Sequence, residues 1–281
     1  MDAAAHVSAI QETTLIIVNM ASYSNSSKSH QRHCISVVSF NMHGYNQGLP
    51  VVTELLHDNK TDIVMLQEHW LTPANLTKFD SLSDKYFMYG SSAMSKCVKE
   101  KILAGRPFGG VMLLVKNELR TKTEFICSAD RFVIVRVEDC IFINVYLPCK
   151  GTDNRQLICQ DILDDIWSYR EQFSNCKCLI GGDFNADLSS NDATANVINS
   201  FLTDNCLTCC DKSLYKRPTY INEALNHESV IDYFFTSDDS IVSDYEVMDP
   251  DINFSDHVPI TVSCTVDFKC DSKKTTKKRT R

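Results

Sequence analysis

The sequence predicts one α/β domain over residues 34–266, built from two β-sheets with helices outside them. Three observations carry this. Residues 35–67 read strand, helix, strand, the length and order of a βαβ unit with its right-handed crossover. Residues 109–148 then hold four β-rich runs joined by short polar turns, the pattern of antiparallel neighbours. Helices and strands alternate from there to residue 266, with no fixed-period repeat.

Taken in order, "ISVVSF" (Ile35–Phe40) is a continuous β-rich run, typical of a strand buried on both faces. Asn41–Gly48 reads as a loop. Leu49–Asn59 has helical spacing at Val52, Leu55 and Leu56, and Asp62–Gln67 is a second buried strand. Gly109–Lys116, Lys122–Cys127, Arg131–Val137 and Cys140–Pro148 are the four middle strands. Arg155–Arg170 is a helix with Leu157, Ile158, Ile162, Leu163 and Ile166 on its apolar side. "CKCLIGG" (Cys176–Gly182) is a strand, Ala193–Asp204 a helix, and Ser229–Ser237 and Val258–Val266 are late strands. Residues 1–33 read as a peripheral segment ending in the Ser-rich linker Ser22–His33, and residues 267–281 as a basic tail.

Composition narrows the chemistry. No apolar run approaches the roughly 20 residues of a membrane span, and no basic stretch precedes a long apolar one at the N-terminus. This points to a nuclear or cytoplasmic protein, not secreted and with no membrane partner. The 13 cysteines are odd in number and scattered, and Cys206–Cys209 has no second pair at zinc-ligand spacing. They read as reduced thiols. The net charge is −8, and six cations lie between Lys273 and Arg281, so the rest carries −14 (−8 − 6). Such a body does not coat itself with nucleic acid through a general positive field. To act on a phosphate it needs a bound cation. The tail reads as a solvated end or as a nuclear-import or nucleic-acid patch.

Polar residues collect at strand ends, where a scaffold fixes them and loops leave room for a ligand. The first strand ends at Asn41, the second at Glu68, the Ile141–Val145 run at Tyr146, and "LIGGDFNADL" at Asp183 and Asn185. Asp232 interrupts the apolar run "VIDYFF", and "FSDHVPI" brings Ser255, Asp256 and His257 before the last strand. Singly, each is more often a turn former, a solvated acid or a structural histidine. Asp232 is harder to dismiss, because a carboxylate in a buried strand needs a cation or strong donor, which His257 could supply. Together, Glu68, Asp183, Asp232 and Asp256 with Asn41, Asn185 and His257 make an oxygen-rich site with one imidazole. That donor set favours Mg²⁺, with Mn²⁺ as a substitute, over zinc. A hard cation beside an acid and a histidine can drive attack of water on a phosphate ester.

The motifs "SFNMHG", "LQEHWL", "INVYLP", "GGDFNADL", "RPTY", "VIDYFFTS" and "SDHVPI" occur in that order across residues 34–266. In this the chain resembles the endonuclease/exonuclease/phosphatase superfamily, which includes apurinic/apyrimidinic endonucleases, DNase I, inositol polyphosphate phosphatases, sphingomyelinases and deadenylases. With "RPFGG" added, it looks most like the endonuclease domain of non-LTR (LINE-type) retrotransposons. The resemblance implies a DNase I-like four-layer sandwich of two mixed sheets packed face to face, with helices outside and the site at one edge. It implies Glu68 as main metal ligand with Asn41 close by, and Asp256 on metal or water. Asp183 would activate the attacking water and Asn185 help hold it, both on one side of an extended segment. His257 would donate to a non-bridging phosphate oxygen, oriented by Asp232, with Tyr146 on the phosphate or leaving group. Thr219 and Ser255 would be supporting polar contacts to substrate. One departure stands out: many relatives carry Asp or Asn two residues after the first-motif Asn, and here that place is His43.

The expected function is therefore a Mg²⁺-dependent DNA endonuclease that nicks DNA to leave 3′-OH and 5′-phosphate ends, derived from a retrotransposon. No reverse transcriptase follows, which reads as a truncated element, a fragment or a domesticated domain. The alternatives are a phosphatase or phosphodiesterase on a small-molecule or lipid phosphate, and an inactive retroelement fragment. Inositol phosphatases carry Cys-Asp-Arg where this chain reads "VIDYFF", and a secreted DNase would expose the sequon Asn253–Ser255 beside the site.

Overall fold

The computed structural model describes residues 30–102 and 105–269. Residues 1–29, 103–104 and 270–281 lie outside the described residues, and the first three residues of the expected tail, 267–269, belong to β14. In chain order the elements are β1 (His30–Asn41), α1 (Tyr45–Asp58), β2 (Ile63–Gln67), β3 (Tyr86–Ser91), α2 (Ser95–Lys99), β4 (Val111–Lys116), β5 (Thr123–Ser128), β6 (Phe132–Val137) and β7 (Cys140–Tyr146). Then follow α3 (Arg155–Glu171), β8 (Lys177–Asp183), α4 (Ala193–Asp204), β9 (Thr208–Cys209), β10 (Tyr220–Asn222), β11 (His227–Ser229), β12 (Asp232–Thr236), β13 (Val242–Val247) and β14 (Ile260–Lys269).

Two six-stranded sheets form the frame, in the orders β13-β14-β1-β2-β4-β3 and β5-β6-β7-β8-β12-β9. Each is mixed. In the first, β1 and β2 run parallel, and in the second, β7 and β8 do, while the other pairs run antiparallel. The alternation of side chains along each strand builds the layers. Val37, Ile63, Met65, Phe142, Leu179 and Phe234 point between the sheets into one core. Val38, Val64 and Leu66 point the other way, onto Val51, Val52 and Leu55 of α1. Ile143, Ile180 and Phe235 do the same toward Ile162 and Ile166 of α3 and Ile198 of α4. The order helix, sheet, sheet, helix is the four-layer sandwich that the family resemblance implied. Central strands buried on both faces explain why their sequences are unbroken apolar runs.

Several elements escape the sequence pattern. The strands β3 and β13 lie at sheet edges with half-exposed residues, so neither shows a clean period. Helix α1 begins at Tyr45, four residues before the expected start, with Pro50 inside it. Its start is fixed from outside: the amides of Gly44 and Tyr45 donate to the carbonyls of Glu68 and His69 at 2.8 and 3.0 Å. Strand β1 reaches back to His30, into the stretch that reads as linker, because β14 continues to Lys269 opposite it.

The register sets the site. Tyr146 pairs with Asp183 between β7 and β8, and Asp183 with Asp232 between β8 and β12. Three site residues thus stand in one row across the second sheet. Asn41 pairs with Gln67 at the matching end of the first sheet, one residue before Glu68. Gly182 is required just before Asp183: at φ 149° a Cβ there would lie 1.9 Å from the Val145 carbonyl oxygen.

Candidate active site

The two sheets bring their polar ends together at a cleft of about 660 Å³ whose wall includes His43, Glu68, Asn185, Tyr220, Asp256 and His257. Asn41 joins the halves. Its buried amide nitrogen donates to Glu68 Oε1 at 3.1 Å and to Asp183 Oδ2 at 2.8 Å, while its oxygen accepts the His43 amide at 2.9 Å. Glu68 Oε2 accepts the Trp70 indole N–H at 2.9 Å. Tyr146, almost fully buried, lies within reach of the charges of Glu68 and Asp183 and under the Arg131 guanidinium at 4.7 Å. Burial, then the charges of Glu68 and Asp183, push the phenol's pKa up, so it stays a donor.

From the segment before β14, His257 Nδ1 bonds Oδ2 of Asp232 on the second sheet at 2.9 Å, both side chains buried. The expected donor for the buried Asp232 is thus in place. His257 Nε2 stands 3.9 Å from Asp183 Oδ2 and 4.0 Å from Asp256 Oδ1. Burial works to lower the imidazole's pKa, but the charges of Asp232 and Asp183 outweigh it and lift the pKa to about 10. The ring is therefore an imidazolium at neutral pH. Asp183 moves up as well, to about 8, driven by burial and by the charges of Asp232 and Glu68 against the pull of His257.

Asn185 departs from the expected extended geometry. At φ 53° the chain turns back there. The Asn185 amide donates to Asp183 Oδ1 at 2.7 Å, and its side-chain nitrogen donates to Asp183 Oδ2 at 3.0 Å and to the Leu147 carbonyl at 2.8 Å. The two residues do share one place, through a turn closed on the carboxylate and not through an alternating strand. His43, Glu68 and Trp70 also sit at positive φ, between 46° and 53°. Four non-glycine residues in the left-handed region around one cleft is the kind of strain that functional sites hold.

The remaining expected residues take supporting places. Thr219 does not face the cleft. It is fully buried, and its hydroxyl accepts the amides of Ile231 and Asp232 at 3.1 and 3.0 Å, which anchors the start of β12. Ser255 donates to the Asn41 carbonyl at 2.8 Å and accepts the His257 amide at 3.1 Å, tying the segment before β14 to the end of β1. Asp256 meets His43 Nδ1 at 2.6 Å. Burial pushes the Asp256 pKa up, but His43 and His257 outweigh it and hold it below the usual carboxylate range. His43 is thus paired with an acid. His69, beside Glu68, points away into the protein: it is buried, faces the Ser91 carbonyl and accepts the Leu71 amide, and burial lowers its pKa to about 4. Sequence reasoning passed over Trp70, Arg131 and Arg155. Arg155 donates to the Asn185 carbonyl at 2.6 Å and pairs with Asp192 at 3.0 Å.

Asp183, Asp232 and His257 bring ligand atoms within 4.8 Å of one another, close enough to hold a metal ion. The short Asp232–His257 bond already engages one carboxylate and one ring nitrogen of that group. Glu68 fits a hard cation better. Each of its oxygens accepts one hydrogen bond and keeps a lone pair, and the Asn41 amide nitrogen ties it to the Asp183 carboxylate, with no thiolate alongside.

A proton-bearing imidazole between carboxylates, beside an oxygen-rich face, defines a hydrolase of phosphodiester bonds that works with a divalent metal. The chain belongs to the endonuclease/exonuclease/phosphatase family, whose family model matches residues 38–257. Among solved structures it is similar to the AP endonuclease LMAP from Leishmania major, with 15% identity over 82% of this chain and 87% of that one, at a TM-score of 0.66. It is also similar to the endonuclease domain of TRAS1, a telomere-specific non-LTR retrotransposon, with 15% identity over 83% and 98%, at 0.60. A third is the 3′ phosphatase NExo from Neisseria, bound to a product DNA hairpin, with 18% identity over 81% and 98%, at 0.60. At these identities the likeness shows the fold. No curated protein matches the chain. Among the described residues no helix is long and apolar enough to cross a membrane.

Proposed function

We propose that the protein is a Mg²⁺-dependent DNA endonuclease, derived from a non-LTR retrotransposon, that nicks a strand to leave 3′-OH and 5′-phosphate ends. The observation that carries this reading is the row Asp232–His257···Asp183, joined through Asn41 to Glu68. Glu68, with Asn41 beside it, would hold the cation, which offsets phosphate charge when bound. Asp183 takes the proton of the attacking water. Burial raises its pKa toward neutrality, and a bound cation would favour the charged form that a general base needs. Asn185 fixes the Asp183 carboxylate through two hydrogen bonds and helps hold the water. His257 donates from Nε2 to a non-bridging phosphate oxygen as charge builds there, and Asp232 keeps the ring oriented and charged. Tyr146 keeps its proton and serves as a donor beside the leaving oxygen. The motif order and the similarity to the TRAS1 domain support the retrotransposon origin.

A supercoiled-plasmid assay with Mg²⁺ or Mn²⁺ tests this. Wild type converts plasmid to open circles that DNA ligase seals, and Asp183→Ala leaves it supercoiled. Open circles that ligase cannot seal would refute the assigned ends. Wild type that cuts no DNA but releases phosphate from 3′-phosphorylated DNA would replace the nuclease reading with a phosphatase.

A further inference from the structure

We infer that a second groove, joined to the catalytic cleft through the Trp70–Glu68 hydrogen bond, binds an unpaired nucleotide of the substrate strand next to the phosphate being cut. The inference rests on the nucleic-acid reading above and adds a binding site to it. The groove has a volume of about 370 Å³, and its wall includes Tyr45, Asn46, Gln47, Trp70, Lys78 and Arg106.

Charge distribution is the first reason. The catalytic cleft carries Glu68, Asp187, Asp192, Glu228 and Asp256 in its wall, and its Arg155 is already paired with Asp192. Against these five carboxylates it offers one lysine without an ion-pair partner among the described residues, Lys150, so without a bound cation the cleft attracts a polyanion poorly. The second groove has no carboxylate in its wall. Its two cations, Lys78 and Arg106, are exposed, and neither has a carboxylate partner among the described residues. In a chain of net charge −8 this is where a phosphate backbone finds purchase.

Aromatic geometry is the second. The Arg106 guanidinium lies 5.5 Å from the Trp70 ring centroid, and Lys78 Nζ lies 5.4 Å from that of Tyr45. Cations interleaved with aromatic faces make the surface on which proteins stack unpaired bases while gripping the backbone. The Trp70 ring is held in place to serve. Its indole N–H is bonded to Glu68, and its edge lies so close to Gly44 that a Cβ there would come within 2.6 Å. Trp70 thus links the platform directly to the residue that would hold the metal. A base stacked there sits beside the reacting phosphate. A paired base has no free face to offer, so the groove selects single-stranded or locally opened DNA.

The test uses tryptophan emission. The chain has two tryptophans, and Trp167 lies against Phe201 between α3 and α4. Trp167→Phe leaves Trp70 as the reporter. Titrating a short oligothymidylate into this protein in EDTA should quench its emission. Adding Arg106→Glu and Lys78→Glu, both at the surface, should weaken that binding tenfold or more. The neutralising pair Arg106→Ala and Lys78→Ala should flatten the log–log salt dependence by about 0.7 per cation removed. The same titration with oligouridylate separates a preference for DNA from one for any single strand. Binding without a change in Trp70 emission, or binding untouched by the charge reversals, would overturn the inference. Wild-type plasmid nicking alongside either result would show that the nuclease reading survives it. Absence of both nicking and oligonucleotide binding would instead sink the reading on which the inference rests.

Discussion

At the level of single residues, the site depends on where one proton sits. His257 carries it at neutral pH because Asp232 and Asp183 flank the ring. The sign of the pH dependence follows. Activity rises as pH passes the raised pKa of Asp183, because the base must lose its proton, and falls as pH passes about 10, where His257 loses its own. These groups face one another, so the two limbs belong to the set and not to one residue each. Asp232→Asn removes the larger of the two charges that lift the imidazole. The alkaline limb of the rate profile should then move down by roughly one to three units, while the fold survives. An alkaline limb that stays near 10 would show that another group sets it. His257→Ala should cost on the order of 10²–10³ in kcat. Mn²⁺ binding, followed by calorimetry, should be kept, because the ring is not placed as the metal's main ligand. Loss of Mn²⁺ binding in that variant would move His257 into the metal site.

The Asp232–His257 pair was legible in the sequence because a carboxylate in the middle of "VIDYFF" has no cheap solution other than a charged donor. Thr219 was not. A threonine bonded to two amides behind a strand looks in sequence like any polar loop residue. Trp70 was hidden for a similar reason: it lies two positions past Glu68, and only the positive φ at both residues turns its indole back onto the carboxylate.

At the level of elements, the two sheets each supply half of the site, so their mutual placement matters as much as either half. A polar bridge beneath the site fixes it. Asn144 of β7 reaches across the apolar core and donates to the carbonyls of Leu66 and Met112, at 2.9 and 3.0 Å, on β2 and β4. Its own oxygen accepts Gln67 Nε2 at 2.6 Å. All of these groups are buried, so their loss is not repaired by water. Asn144→Ala should lower stability by about 3 kcal/mol in urea unfolding. Glu68 follows Gln67 directly in the chain, so kcat should fall further than the folded fraction alone accounts for. A variant as active per folded molecule as wild type would show that the bridge is only structural. The central strands that carry this bridge were readable as apolar runs, whereas edge strands such as β3 and β13 were not. An edge strand has one neighbour and a wet face, and nothing forces its sequence into a period.

For the molecule as a whole, the question is how an acidic protein holds an acidic polymer. Two answers are open to this chain, and they differ in number of cations. Local gripping uses Lys78 and Arg106, with Lys150 at the mouth of the catalytic cleft. Gripping by the tail would add the six cations between Lys273 and Arg281. Each neutralised phosphate of duplex DNA contributes about −0.9 to the slope of log K against log salt. Two or three local cations therefore give a slope of roughly −2 to −3, and recruitment of the tail would steepen it by as much as about −5. The site's own construction favours the local answer. The cleft relies on a metal, on one imidazolium and on a small basic groove, and each acts over a contact distance that salt screens poorly. Deleting residues 270–281 should leave the slope for plasmid binding, measured in EDTA, within experimental error of the full chain. A slope that drops by several units on deletion would assign the tail to DNA and make the catalytic domain the weaker of two grips.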